Sequence, residues 1–354
     1  MTLVSVVVIN FNGMRDLAGC LDSLASQDYS DIELLLVDNC STDGSGDLMN
    51  AFADDPANRE RFAAGSPRFI ANTTNAGFSP ALNQGIRSSS GELVMPLNTD
   101  VVLDRSFISS MATALLKESL NGSASGKLLR FPAWDRDTVI DSAGHFIFKN
   151  RLAENIGEGE GGSASFLDPR EVFGACGAAA LYRREMLEDI QVAGEYFDED
   201  FFAFWEDVDV DWRARIRGWK CVYEPSAIGW HRRGGAGYRK SLLVERHNYK
   251  NRLLMIIKND SPRSYVRNLP GIAITELMKG GALLVRCPRA LLSLFEVAKL
   301  LPRTLAKRRV IQSRRVVPAH ELDKWFVPFD YGKWMRRHLL NRGDMISASG
   351  RAVR

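Results

Sequence analysis

Cysteine is scarce in this 354-residue chain: Cys20, Cys40, Cys176, Cys221 and Cys287 are odd in number, widely scattered and form no CxxC pair. That spacing excludes a cysteine zinc site and a disulfide framework, and it fits a reducing cytoplasm. Long apolar runs are missing too. No stretch reaches the ~18 uninterrupted apolar residues a spanning helix needs, and the opening "MTLVSVVVINFNG" has neither a basic leader nor a cleavage site. Internal repeats and low-complexity tracts are absent. The 45% hydrophobic and 25% charged fractions are ordinary for a globular chain and exclude wholesale disorder.

Each part of the chain is also short of one sign of charge. Residues before His231 carry 19 Lys+Arg against 35 Asp+Glu, whereas those from His231 onward carry 27 against 8. An acidic body joined to a basic end implies two tasks, with anionic lipid, nucleic acid or an acidic acceptor as partner for the basic part. "KRRVIQSRR" has no interleaved aromatics, so no nucleic-acid partner is expected. The length exceeds one comfortable core, and the division expected is 1–240 and a basic, mainly helical 241–354.

"LVSVVVIN" and "ELLLVDN" are β-branched or apolar runs of the length of strands buried on both faces. Between them "MRDLAGCLDSLASQ" sets Leu17, Leu21 and Leu24 on one helical face, which makes a strand–helix–strand unit. "RFIANT", "FSPALNQGIRSSS" and "ELVMPLNTD" repeat the alternation, with the helix opening at Ser79-Pro80. The fold class is therefore α/β, an open, mostly parallel, Rossmann-like sheet flanked by helices, where ligands gather at the strands' carboxyl ends. Asp141 to about Gly162 reads as a polar loop or mobile hairpin, followed by a helix from near Arg183. After the glycine-rich basic "HRRGGAGYRK" the chain reads as helical to about residue 315. There "RALLSLFEVAKLLPRTLAKRR" places Leu291, Leu294, Phe295, Ala298, Leu301 and Leu305 on one stripe, which either packs on its own domain or meets a membrane surface.

Polar residues follow the apolar runs at three strand ends: Asn10 and Asn12, Asp38 and Asn39, and Asn98 and Asp100. On a parallel sheet they converge on one crevice. Asp38 also suits a helix cap before Gly46 to Asn50. Asp100 has the chemistry of a Mg2+ or Mn2+ ligand, with a solvated loop Asp as its plainer role. Asn75-Ala76-Gly77 precedes a helix start whose unpaired N–H groups favour phosphate. "FDEDFFAFWEDVDVDWR" (Phe197 to Arg213) crowds seven carboxylates among aromatic rings, a costly arrangement unless a cation, metal or substrate offsets the charge.

In order, "VSVVVINFNG", "LLLVDNCSTDGS", "NAGFSPALNQGI", "PLNTDV", "FGACGAAALYRREM", "FDEDFFAFWEDVDVDWRARIRGWK" and "VYEPSAIGWH" resemble the glycosyltransferase family 2 enzymes, in particular their rhamnosyltransferase-like branch. The resemblance spans roughly residues 3–260. It implies a GT-A fold and inverting transfer from a deoxythymidine- or uridine-diphosphate sugar, rhamnose among them, to a glycan or lipid-linked acceptor. It further implies a divalent metal, Mg2+ or Mn2+, at the diphosphate. On the same footing Asp38 resembles the carboxylate that reads the pyrimidine, Asp100 the metal-binding Asp, Asp207 the general base with Glu206 beside it, and His231 a metal- or diphosphate-binding His. Asn98-Thr99-Asp100 departs from the usual two-aspartate pattern and leaves one anionic ligand there.

Within the acidic stretch, Glu206 and Asp207 fall in a helix's first turn, Asp209 is expected to pair with Arg213 on a solvated face, and Asp198, Glu199 and Asp200 to serve the preceding loop. Phe201, Phe202, Phe204 and Trp205 are expected to wall an acceptor pocket. Two alternatives stay open: a nucleotidyltransferase building nucleotide sugars, and a non-catalytic membrane-associated binding protein. The location expected is cytoplasmic, peripheral on the inner face of the cell membrane.

Overall fold

A computed structural model describes residues 2–63, 65–131, 139–161, 166–233 and 241–332. Most of "HRRGGAGYRK", the end of the polar loop at Gly162 and the last part of the basic region lie outside those residues.

The first part alternates β1 (Val4–Asn10), α1 (Met14–Ala25), β2 (Ile32–Asp38), α2 (Ser45–Asp54), α3 (Pro56–Arg61), β3 (Arg68–Ala71), α4 (Phe78–Arg87) and β4 (Leu93–Asn98). Next come β5 (Val101–Leu103), α5 (Phe107–Leu116), β6 (Asn121–Arg130), β7 (Ile140–Ser142), β8 (His145–Phe148), β9 (Ala153–Asn155), β10 (Arg170–Val172), β11 (Ala180–Arg183) and α6 (Arg184–Ile190). The chain continues with α7 (Glu206–Arg217), β12 (Lys220–His231), α8 (Leu242–Asn259), α9 (Pro262–Arg286), α10 (Ser293–Ser313), α11 (Ala319–Leu322) and β13 (Phe326–Val327).

The main sheet has ten strands in the order β10-β12-β6-β11-β4-β1-β2-β3, with β5 on β12 and β7 on β6. β4, β1, β2 and β3 are mutually parallel, while β11 runs antiparallel to both β4 and β6. Every residue of β1 and β2 is buried, because helices cover both faces. On one face Val4, Val6 and Val8 pack with Leu17, Leu21 and Leu24 of α1; on the other Val7 and Ile9 pack with Leu82 and Ile86 of α4. Each fully buried leucine on these stripes contributes about 1.5–3 kcal/mol. Register then fixes the strand ends: Asn10 pairs with Asp38, and Ile9 with Asn98.

Of the loop or hairpin expected from Asp141 onward, the structure has the hairpin, β8–β9, preceded by a strand of the main sheet. β7 joins β6 in the main sheet, and β8 and β9 pair antiparallel, with β13 added in parallel to β8. His145-Phe146-Ile147-Phe148 alternates buried and half-buried, a strand pattern that the flanking polar residues obscure. A third cluster, including Phe201, Trp212, Leu254, Met255, Ile311 and Phe326, packs α7 against α8, α10 and β13.

Candidate active site

A cleft of about 770 Å³ opens at the carboxyl ends of β1 and β4, and Asn98, Asp100, Glu206, Asp207 and His231 all line it. Asn39 and Asn75 line its other end; Asn39 Nδ2 donates to Asn75 Oδ1 at 2.8 Å and to the Gly77 carbonyl at 3.0 Å. Gly77 itself sits at φ +102° at the start of α4, where a Cβ would lie 2.5 Å from the Phe202 ring and 2.7 Å from its carbonyl oxygen. Only glycine fits that approach.

Asn10, Asn12, Asp38 and Gly77 brace the cleft rather than line it. Asn10 Nδ2 donates to Asp38 Oδ1 (2.8 Å), Ser41 Oγ (3.0 Å) and Ser45 Oγ (2.8 Å). Asn12 Oδ1 accepts from Thr42 N at 2.8 Å. Asp38 does not cap α2, as its neighbours suggested; its oxygens accept from Asn10 and from Ser41 N at 3.0 Å, and Gly44 takes the cap position.

The loop before α7 holds unusual backbone. Phe202, Phe204 and Trp205 have φ of +66°, +73° and +71°, a region costly for bulky side chains unless the surroundings over-determine it. α8 supplies that constraint. Asn251 Nδ2 lies 2.9, 2.7 and 2.8 Å from the carbonyls of Phe201, Ala203 and Phe204, Asn248 Oδ1 accepts from Trp205 Nε1 at 3.0 Å, and the His247 ring stacks on Phe202 at 4.9 Å. Phe202, Phe204 and Trp205 do face the cleft. Phe201 does not: it is fully buried among apolar neighbours, with Lys258 Nζ 4.8 Å over its ring.

α7 then delivers carboxylates one turn apart to the loop after β10. Asp207 Oδ2 accepts from Gly177 N at 2.9 Å while Oδ1 accepts from Val208 N at 2.8 Å. Asp211 Oδ2 accepts from Ala175 N at 2.9 Å and lies 3.4 Å from His145 Nε2. Burial and then the Asp207 charge lift the Asp211 carboxyl well above the usual range. Burial likewise pushes the His145 imidazole down. For Glu206, whose Oε2 is sealed without a hydrogen-bond partner, burial and then the Asp207 charge push the carboxyl up to about 8.

On the far wall His231 Nε2 lies 3.4 Å from Asp100 Oδ1, and Nδ1 lies 2.8 Å from Asp141 Oδ2. Burial alone would lower this imidazole; the hydrogen bonds and charges of Asp100 and Asp141 outweigh it and bring it to about 9. Asp141 is fully buried and also meets Arg233 Nε at 2.5 Å. Sequence reading missed Asp141, His145, Gly177, Arg233, Asn248 and Asn251. Only the Asn248/Asn251 spacing on one polar helix face offered a signal; the others depend on which strands become neighbours.

The remaining acidic residues are structural. Asp209 pairs with Arg213 at 2.9 Å as expected, but both are buried, and Asp209 also meets Lys258 at 2.9 Å and Asn259 at 2.7 Å. The solvated face expected for it is instead sealed by α8. Asp198 is ion-paired with both Lys258 and Lys307, and Asp200 with Lys307.

A divalent cation suits this cleft. Asp100 Oδ1 and His231 Nε2 have the separation of adjacent ligands on one cation, and a carboxylate with an imidazole is a fitting donor pair. Among the described residues no group of three His, Cys, Asp or Glu side chains has metal-holding geometry, so two protein ligands would leave positions for substrate phosphates.

Curated relatives include an N-acetylglucosaminyltransferase of Azorhizobium caulinodans, 27% identical over 64% of this chain and 53% of its own. One of Bradyrhizobium diazoefficiens is 32% identical over 64% and 44%. The chain thus spans about half the length of the curated relatives it matches. Among solved structures, the mannosyltransferase PcManGT from Pyrobaculum calidifontis, in complex with GDP-Man and Mn2+, superposes over 98% of this chain and 84% of its own, with a TM-score of 0.52 and 18% identity. S. aureus TarS 1-349 in complex with UDP superposes over 91% and 89%, with a TM-score of 0.51 and 18% identity. These neighbours share the GT-A fold. With the profile described as glycosyl transferase family 2 matching residues 5–191, this chain belongs to that family.

Proposed function

We propose that this glycosyltransferase is inverting and metal-dependent, moving a sugar from a uridine- or deoxythymidine-diphosphate donor to a hydroxyl of a glycan or lipid-linked acceptor. The observation that carries this reading is that Asp100 and Asp207 line one cleft at the strand ends, with the α4 N-terminus beside it. Asp207 is the base. Its two oxygens are each held by one backbone N–H, which fixes the carboxylate and leaves lone pairs for an incoming hydroxyl. As the acceptor oxygen bonds to the anomeric carbon, its proton passes to Asp207 and the nucleoside diphosphate leaves from the opposite side. One displacement inverts the anomeric centre, and no covalent enzyme nucleophile is needed.

Asn39 and Asn75 meet the nucleotide end of the donor; the first turn of α4 adds little, because Ser79 N donates to the Phe202 carbonyl and residue 80 is a proline without an N–H. Asp100 and His231 would hold Mn2+ or Mg2+, which neutralises charge on the leaving diphosphate when bound. Glu206, kept neutral, avoids a second negative charge beside Asp207. Phe202, Phe204 and Trp205 give the acceptor an apolar wall. Rhamnose is the sugar the sequence resemblance implies, whereas the relatives' names carry N-acetylglucosamine. A panel of UDP- and dTDP-sugars, scored by nucleoside diphosphate release with Mn2+, tests the reading. Release from one donor class supports it, and release of pyrophosphate from a nucleoside triphosphate would replace it with a nucleotidyltransferase.

A further inference from the structure

α10 buries the more polar of its faces. Ser293, Thr304, Lys307 and Ile311 point inward, with Val297 and Leu300 half-buried. Its apolar stripe of Leu294, Phe295, Leu301 and Leu305 is turned outward, and Phe295 is 75% exposed. The corner leading into α10 continues the pattern, with Leu284 62% and Val285 84% exposed at the end of α9 and Leu292 exposed in the 3-10 turn between the helices. A soluble surface rarely keeps so many large apolar side chains together against water.

Cations surround them. Arg286, Arg289 and Lys299 are exposed, and among the described residues no ion pair engages any of the three. Between residues 284 and 303 the sequence has one acidic residue, Glu296, and Arg246 of α8 takes it. That contact also locates the corner, because Val244 and Asn248, a turn or less from Arg246, line the cleft. A second copy of the chain is a poor occupant. A two-fold contact through this corner would set these cations against their own counterparts.

We propose that the α9–α10 corner docks on an anionic bilayer surface. Leu284, Val285, Leu292, Leu294 and Phe295 enter the boundary between headgroups and acyl chains, and Arg286, Arg289 and Lys299 meet lipid phosphates. Docked this way, the α8 edge of the cleft faces the membrane, where the hydroxyl of a lipid-linked acceptor meets Asp207. That delivery rests on the transferase reading; the docking does not.

The test is flotation of the full chain with phosphatidylcholine vesicles, with and without phosphatidylglycerol. At physiological salt the protein floats with the phosphatidylglycerol vesicles and stays behind with phosphatidylcholine alone. L284S/V285S/F295S and R286Q/R289Q/K299Q each lower the bound fraction about tenfold or more. Both variants keep the wild-type unfolding midpoint and vesicle-free donor hydrolysis. Wild-type protein that fails to float with phosphatidylglycerol overturns the proposal, as does flotation that survives both variants. Variants that dissociate a dimer without changing flotation assign the corner to a second copy and also overturn it. Flotation that persists when no donor is turned over supports docking and rejects the transferase reading alone.

Discussion

Lys307→Met strikes the point where the acidic and basic parts of the chain meet. The Lys307 side chain is 4% exposed, and its ammonium lies 2.8 Å from Glu195, 2.5 Å from Asp198 and 2.9 Å from Asp200. Three donors thus meet three acceptors. Methionine keeps the stem's packing and removes the charge, which strands Asp198 with Lys258 alone opposite it. Breaking a buried pair from one side costs about 3–5 kcal/mol, and the surviving Lys258 puts this case near the lower end, at about 3 kcal/mol.

The loss depends on pH. Burial alone would raise Asp198, but Lys258 and Lys307 outweigh it and hold the carboxyl well below the usual range. A lowered folded-state value gives stability that is present above the unfolded value, about 3.9, and is lost as pH falls through the folded one. In the variant, protonation in acid relieves the stranded charge. The gap between the two proteins therefore narrows below about pH 4. Lys307, raised by Asp198, is charged throughout the neutral range and its contribution disappears only on the alkaline side. Urea unfolding followed by tryptophan fluorescence at neutral and acid pH measures the gap. A neutral-pH loss below about 1 kcal/mol, the scale of an exposed pair, or a gap constant with pH, refutes the reasoning.

Asp100→Ala should abolish the Mn2+-dependent part of donor binding in calorimetry; an unchanged affinity with and without Mn2+ would remove Asp100 from the cation site. Gly77→Ala forces a Cβ onto the Phe202 carbonyl at φ +102°, so the loop carrying Phe204 and Trp205 shifts. Stability drops by about 1–3 kcal/mol and turnover falls with it, and a variant matching wild type in both would show that the approach is not tight. Glu206→Gln fixes the neutral form of a carboxyl raised from 4.5 to about 8. Wild-type stability is fully present below the lower value and declines as pH climbs through that window; thermal midpoints across it should fall for wild type and stay level for the variant, and equal slopes would contradict this.

The strand-end residues were legible because β1, β2 and β4 are continuous apolar runs whose ends are marked by the first polar side chains. Parallel pairing then put Asn10 beside Asp38, and Ile9 beside Asn98, with no long-range information needed. The acidic stretch was legible only in part. Its offsetting cations, Lys258 and Lys307, come from helices 60 and 109 residues beyond Asp198, a separation that no local pattern reveals. That contact neutralises two of the later part's cations against acids of the earlier part. Asp141 escaped notice because β7 brings it to His231 across β6, and the α10 stripe reads identically whether it faces core or solvent.

The claim that Asp207 removes the acceptor proton is tested most directly by Asp207→Asn, with nucleoside diphosphate release measured in the presence of acceptor and Mn2+. Asparagine retains an oxygen for the Gly177 N–H but is no base. The account predicts kcat lower by about 10²–10⁴-fold with donor affinity essentially unchanged. Turnover near that of the wild type would contradict it.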